Sequence, residues 1–191
     1  CETRWRNVVP VILPEWRHQA GGTRAALELV TTPLILFVEH DNQIADATID
    51  WQGLCDVVED GVVNMVRLHH QTAIHPDHVH MMLDEGVPQR FGITDANPDG
   101  VPLLRTFQWS QRPHLATTKF YWERIMPYFG VESRTYIEWI IHGAVQHGVE
   151  HGREQQWEKW RVAIYYPDGG NLERSLHLDG RAGSSLEDAV W

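Results

Sequence analysis

The side chains that point most directly to chemistry are two carboxylates, Glu39 and Asp41, which follow the apolar run Leu34–Val38. A continuous apolar run is typical of a strand buried on both faces of an α/β sheet. Ligands of such sheets bind outside the carboxyl ends of the strands, where two carboxylates can hold a hard cation that bridges phosphates. The alternative is a solvated turn, because Asp and Asn favour turns and Asn42 comes next.

A second polar segment, Thr106–His114, contains Gln108, Trp109 and Arg112. An arginine among such neighbours is costly to bury, because every buried polar group then needs a hydrogen-bond partner. An apolar and amide lining with a fixed guanidinium suits a hydroxyl-rich sugar and its phosphates. We therefore predict that these three residues line a sugar site, with a turn that exposes Arg112 and packs Trp109 as the alternative.

The chain is rich in aromatic nitrogen rings, with 12 His and 9 Trp. Five histidines fall within His69–His80, and His78 with His80 could present two imidazoles to zinc or iron. This segment has no H-E-x-x-H motif and no nearby cysteine, so most of its histidines are expected to be polar loop residues. A His-liganded metalloenzyme, either a hydrolase or an oxygenase, and a non-catalytic carbohydrate-binding module with exposed Trp remain as alternative functions.

Composition excludes several other classes of protein. The formal net charge of −10 disfavours binding to a nucleic-acid backbone, and no apolar run approaches the length of a membrane span. The chain has no P-loop and no G-x-S-x-G motif, and Gly169 with Gly170 lacks the other glycines of a dinucleotide fingerprint. The two cysteines, Cys1 and Cys55, are expected to be free thiols in a reducing cytoplasm.

Helices and strands are predicted to alternate along the chain. The predicted helices are Arg24–Val30, Ile49–Asp60, Thr117–Tyr128 and Ser133–His147. The predicted strands are Val8–Leu13, Leu34–Val38, Val62–Leu68, Leu103–Trp109 and Val162–Tyr166. The first of these contains Pro10 and is expected at a sheet edge. Alternation of this kind predicts an α/β fold with a mixed, mostly parallel sheet flanked by helices.

The segment Gly21–Leu27 followed by Thr32–Asp41 resembles the central part of a GT-A family 2 glycosyltransferase. In that family, an Arg-containing helix precedes an apolar strand that ends in a D-x-D motif. The resemblance implies that Asp41 holds the divalent metal, Mn²⁺ or Mg²⁺, of a nucleotide-sugar diphosphate. It also implies that Glu39, which replaces the first aspartate of the motif, lies near the ribose, and that Arg24 belongs to the donor site.

The resemblance extends to two later segments of the chain. The family places a catalytic base at the start of a helix beyond the sugar site, and the comparable segment Ser133–Trp139 offers Glu138. A late histidine completes the metal shell in several GT-A enzymes, which implies that His177 is a second metal ligand. Arg174 and Arg181 flank this histidine and are expected to neutralise the diphosphate leaving group.

Together these features predict one cytoplasmic, GT-A-like (Rossmann-like) domain over residues 1–191. By the resemblance, this domain lacks the first strand and helix, which hold the nucleotide base in the family. The predicted activity is metal-dependent transfer of a sugar, with inversion, from a UDP- or GDP-sugar to a hydroxyl acceptor. The acceptor is expected to be a glycan or a small molecule.

Overall fold

The computed structural model of the protein describes residues 7–71, 73–95 and 97–177. The strands are β1 (Leu34–Phe37), β2 (Asn42–Ile44), β3 (Met65–Leu68), β4 (Gln89–Phe91), β5 (Val101–Arg105), β6 (His114–Thr117), β7 (Val162–Tyr165) and β8 (Ser175–His177). The helices are α1 (His18–Leu27), α2 (Trp51–Glu59), α3 (Thr118–Phe120), α4 (Ile137–Gln146) and α5 (Arg153–Trp160). A π-helical turn, Tyr121–Ile125, continues α3. None of the described helices has both the length and the apolar character needed to cross a bilayer.

The fold is mixed α/β, but the prediction of a mostly parallel sheet is wrong. The six-stranded sheet has the order β1-β6-β3-β7-β5-β4, and within it only the β3–β7 pair is parallel. Strand β6 lies between β1 and β3 and runs antiparallel to both. The alternation of helices and strands failed to predict this, because local apolar patterns do not report which strands become neighbours.

Strand β1 is present where predicted, but it lies at the edge of the sheet and is only partly buried. The expectation that it is buried on both faces is therefore wrong. The predicted strand Val8–Leu13 is also wrong, since it pairs with no described strand and Val8–Ile12 is exposed. The strands buried at every residue are the parallel pair β3 and β7 at the centre of the sheet.

Helices α2 and α4 lie within the predicted ranges and pack their apolar faces into the core. Helix α2 begins at the cap residue Asp50, whose carboxylate accepts a hydrogen bond from the Gly53 amide. Along α4, the buried residues Ile137, Ile141 and Val145 recur at the four-residue spacing of a single helix face. Glu138 directly follows Ile137 in the first turn of α4. Burial of the Ile137 face therefore fixes how this turn, and Glu138 with it, is oriented.

A small two-stranded ribbon pairs a segment that follows β1 with the last described segment of the chain. It consists of β2 and β8, in antiparallel register with Asn42 opposite His177. The backbone amides of Arg174 and Ser175 both donate to the carbonyl oxygen of His69, which directly follows β3. The ribbon is thereby fixed to the carboxyl end of a central strand.

The turn that enters β5 depends on a glycine. Gly100 has a φ of 64°, and a Cβ there would lie 2.7 Å from the carbonyl oxygen of Phe91. We expect Gly100→Ala to lower the free energy of unfolding by about 2–3 kcal/mol, because it adds this contact to the backbone strain.

Gly86→Ala is the matched control, since Gly86 has a φ of 85° and open space around its missing Cβ. It should cost about 1 kcal/mol, from backbone strain alone. Urea unfolding of the two variants measures the difference, and equal losses would contradict the contact with Phe91.

Candidate functional site

The carboxylates of Glu39 and Asp41 are bridged by the side chain of Asn42, which is 4% exposed. The Asn42 amide nitrogen donates to Glu39 Oε2 at 3.2 Å and to Asp41 Oδ1 at 2.9 Å. The Asn42 amide oxygen accepts a hydrogen bond from Arg112 Nη1 at 3.2 Å. One amide therefore joins the acidic motif to a buried guanidinium.

The β2–β8 ribbon brings the two predicted metal ligands, Asp41 and His177, side by side. His177 Nε2 lies 3.4 Å from Asp41 Oδ2, and both side chains are about one-third exposed. Asp41 Oδ1 is held by Asn42, whereas Oδ2 faces His177. This pair offers one carboxylate oxygen and one imidazole nitrogen to a ligand that reaches it from solvent.

Gln19, at the start of α1, connects Glu39 to the start of α4. Its amide nitrogen donates to Glu39 Oε1, and its amide oxygen accepts a hydrogen bond from the Ile137 backbone amide at 2.8 Å. Burial raises the pKa of Glu39, the Gln19 hydrogen bond opposes that shift, and the charges of Asp41 and Glu138 add to it. Three acidic side chains from two parts of the chain therefore influence one another here.

The predicted base, Glu138, lies close enough to two buried arginines to influence their titration. Burial lowers the pKa of Arg67 to about 10, and the negative charge of Glu138 partly opposes this. Burial also lowers the pKa of Arg112, against the charges of Glu138, Asp41 and Glu39. The site thus surrounds two buried cations with carboxylates that come from separate segments of the chain.

The two other predicted residues of the sugar segment are buried but differ in their contacts. Gln108 Oε1 accepts a hydrogen bond from Arg67 Nη2 at 2.8 Å, so it belongs to the same polar group. Trp109 is 1% exposed, and its ring packs against Phe120 and Tyr121 in the core. Trp109 is therefore packed in the core, as the alternative for this segment expected. Arg112 is buried, whereas the same alternative expected it to be exposed in a turn.

The remaining predicted donor-site arginines have contacts of their own or lie outside the described residues. Arg24 lies five residues after Gln19 in α1, and its guanidinium donates to the carbonyl oxygens of Met126 and Phe129. Arg174 is 2% exposed and donates to the Leu172 carbonyl oxygen, with Asp168 Oδ2 at 3.6 Å. Arg181 lies outside the described residues.

Sequence reasoning missed Asn42, Gln19 and Arg67 as site residues, and it considered His70 only as part of the alternative metal cluster His69–His80. Arg67 carried a signal, because it is a charged residue inside an otherwise apolar strand, and Asn42 directly follows the acidic motif. Gln19 carried none. His70 follows Arg67 at the end of β3, and burial with the charges of Arg112 and Arg67 lowers its pKa to about 2.

Several buried polar atoms around the site have no hydrogen-bond partner among the described residues. They include Arg67 Nε, His70 Nδ1 and both amide atoms of Gln111, which is 1% exposed. Buried polar atoms in proteins are nearly always hydrogen-bonded to protein, water or ligand. These atoms therefore indicate a place where water or a polar ligand binds.

The donor set fits a divalent cation only if a substrate supplies further oxygens. Over residues 7–71, 73–95 and 97–177, no three His, Cys, Asp or Glu side chains are arranged to hold a metal ion. Mg²⁺ commonly takes only one or two protein ligands and completes its shell with phosphate oxygens and water. Asp41 and His177 suit that mode, and the His69–His80 segment provides no closed ligand set.

A cavity of about 660 Å³ lies away from these residues, at the carboxyl end of α4. Its wall includes Met81, Phe107, Gln146, Val149 and Arg153. Of the predicted donor, metal and base residues that the structure describes, none lines this cavity. It is therefore separate from the site around Asn42.

In comparisons with known proteins, no family model, curated protein or solved structure matches this chain. The resemblance to GT-A glycosyltransferases accordingly rests on the residues quoted for it. What the site does must then be argued from its own geometry and charges.

Two buried histidines, His69 and His114, make the protein sensitive to acid. Burial lowers the pKa of His69 and of His114 to about 4, while an unfolded histidine titrates near 6.5. The unfolded chain therefore binds more protons between these values, and stability falls as pH falls through that window. Each histidine is expected to contribute a loss of about 2 kcal/mol at pH 5 relative to pH 7.5.

Urea unfolding at the two pH values measures this loss. His69→Asn, which cannot titrate, should reduce the pH dependence, whereas the exposed His147→Gln should leave it unchanged. The same pH dependence in wild type and His69→Asn would contradict the assignment.

Proposed function

We propose that the chain is a GT-A-type glycosyltransferase domain that moves a sugar from a UDP- or GDP-sugar to an acceptor hydroxyl, with inversion. The observation that carries the proposal is the joint position of Glu39, Asp41, His177 and Glu138 around the Asn42–Arg112 hydrogen bond. These residues come from distant parts of the sequence, and the motif resemblance assigns a role to all four carboxylate and imidazole groups.

The donor half of the proposed site is the Asp41–His177 pair with Arg112. Asp41 and His177 would hold Mn²⁺ or Mg²⁺ against the diphosphate of the donor. When bound, this cation supplies positive charge that stabilises the leaving nucleoside diphosphate. Arg112 adds a fixed guanidinium whose planar fork suits phosphate oxygens.

The acceptor half of the proposed site is Glu138. Its carboxylate takes the proton of the acceptor hydroxyl while that oxygen bonds to the anomeric carbon of the donor sugar. The bond between the anomeric carbon and the diphosphate oxygen breaks, and its electron pair leaves with the nucleotide. Because attack and departure occur on opposite faces, the anomeric configuration inverts.

The distribution of charge in the protein supports this donor site. The chain as a whole carries −10, so it repels an anionic nucleotide sugar at long range. Arg67 and Arg112 are buried cations within the site, and both are influenced by the charge of Glu138. They offer the donor local positive charge that the surface of the protein does not.

Binding of the nucleotide is expected to depend on both the metal and Asp41. Calorimetric titration with UDP and with GDP should show affinity at least about tenfold higher with Mn²⁺ than without it, for one nucleotide or both. Asp41→Ala should remove this gain, while the exposed Asp46→Ala, beyond β2, should keep it. Metal-dependent binding that survives in Asp41→Ala would overturn the metal assignment.

Loss of the proposed base is expected to slow the reaction without weakening the donor site. Glu138→Gln should lower kcat by about 10²–10⁴-fold, with nucleotide affinity nearly unchanged, because the amide cannot accept the proton. Glu123→Gln changes an exposed carboxylate of the π-helical turn and serves as the control. Full turnover by Glu138→Gln would rule out the proposed base.

A further inference from the structure

An exposed group of aromatic rings lies where α1 and α4 begin. The ring of His18 stands between those of Trp16 and Tyr136, with centroid distances of 4.6 Å and 4.1 Å, both in edge-to-face contact. Trp139 lies in the first turn of α4, three residues after Tyr136, which is the N-terminal cap residue of that helix. We name these four residues the aromatic platform.

The three larger rings of the platform are strongly exposed, whereas His18 is half-buried. The exposed fractions are 69% for Trp16, 61% for Tyr136 and 78% for Trp139. His18 has a φ of 55°, a left-handed conformation that is unfavourable for a non-glycine residue. The chain therefore keeps an unfavourable backbone angle at the residue whose ring joins the two larger rings. Exposed apolar surface that is concentrated in one place, and not scattered singly, is typical of an interaction site.

The platform adjoins the site of the proposed reaction. Gln19, which follows His18, holds both Glu39 and the Ile137 amide, and the Ala20 amide donates to the Thr135 carbonyl oxygen at 3.1 Å. Trp139 directly follows the proposed base, Glu138. The platform and the proposed base therefore belong to the same two hydrogen-bonded segments, the start of α1 and the start of α4.

The charges around the platform disfavour an anionic occupant. Arg17 pairs with Glu15 at 3.0 Å and with Glu132 at 3.7 Å, and Arg134 also pairs with Glu15. Among the described residues from 13 to 20 and from 131 to 140, these two arginines are the only Lys or Arg side chains. The platform thus presents no unpaired Lys or Arg to anionic lipid headgroups or phosphates.

We propose that the aromatic platform binds a neutral oligosaccharide, so that the acceptor of the proposed transfer is a glycan chain. Sugar rings present flat faces of C–H groups that pack on aromatic rings, while their hydroxyls stay in water. Trp16 and Tyr136, on either side of His18, offer two separate ring faces to sugar rings, and Trp139 adds a third exposed ring directly after the proposed base in the sequence. This inference rests on the proposed function for the role of the glycan, but the binding itself does not.

The test is calorimetric titration of the full chain with cellohexaose, maltohexaose and chitohexaose, without metal or nucleotide. Wild type is expected to bind at least one of them, and Trp139→Ala and Tyr136→Ala should each weaken that binding about tenfold. Trp51→Ala, which removes a partly exposed Trp from α2, should bind as wild type does. Unchanged melting temperatures would show that the surface variants remain folded.

Asp41→Ala separates this inference from the proposed function. It should retain hexasaccharide binding, and Trp139→Ala should retain metal-dependent nucleotide binding. Oligosaccharide binding without any nucleotide binding would overturn the acceptor role and leave a carbohydrate-binding surface.

Two results would overturn the platform itself. One is a wild type that binds none of the three hexasaccharides, or a Trp139→Ala variant that binds them equally well. The other is co-sedimentation with phosphatidylcholine–phosphatidylserine vesicles that is lost in Trp139→Ala, which would make the rings a membrane contact.

Discussion

The arrangement of the site depends on one buried amide, the side chain of Asn42. Both of its N–H groups are used by carboxylates, and its oxygen is used by Arg112, so it holds groups that would otherwise repel or remain unpaired. The backbone of the same residue begins β2 and lies opposite His177. A single residue therefore sets the spacing of the acidic motif, orients a buried cation and brings in the proposed second metal ligand.

The second constraint is the balance of charge in a largely buried group. Arg67 and Arg112 lose much of their hydration, which lowers the pKa of each, and the carboxylates around them compensate in part. The same carboxylates also face one another, which contributes to the raised pKa of Glu39. The proposed donor carries both phosphates and hydroxyls, and it matches a site that combines buried cations, carboxylates and buried polar atoms without a partner among the described residues.

Elements with strong local patterns were predictable from the sequence, whereas their arrangement was not. The periodic apolar residues of α2 and α4 and the apolar run of β7 were recognised because each signal lies within one segment. Helix α5 was missed because its exposed residues are mostly polar, and β2 and β8 because three residues carry too little pattern. Burial depends on distant packing, which is why Trp109 lies in the core whereas Trp139 is exposed. His177 reaches the motif through the β2–β8 pairing, and Glu138 is connected to it through Gln19 of α1, so only the family resemblance suggested that these residues converge.

Release of the nucleoside diphosphate tests the central claim most directly. The protein would be incubated with pooled UDP- and GDP-sugars, Mn²⁺ and the three hexasaccharides, and free UDP and GDP would be measured over time. A glycosyltransferase must accumulate UDP or GDP in a metal-dependent manner and at a rate that increases with the acceptor. Release no faster than in a protein-free blank, for every donor in the pool, would contradict the account.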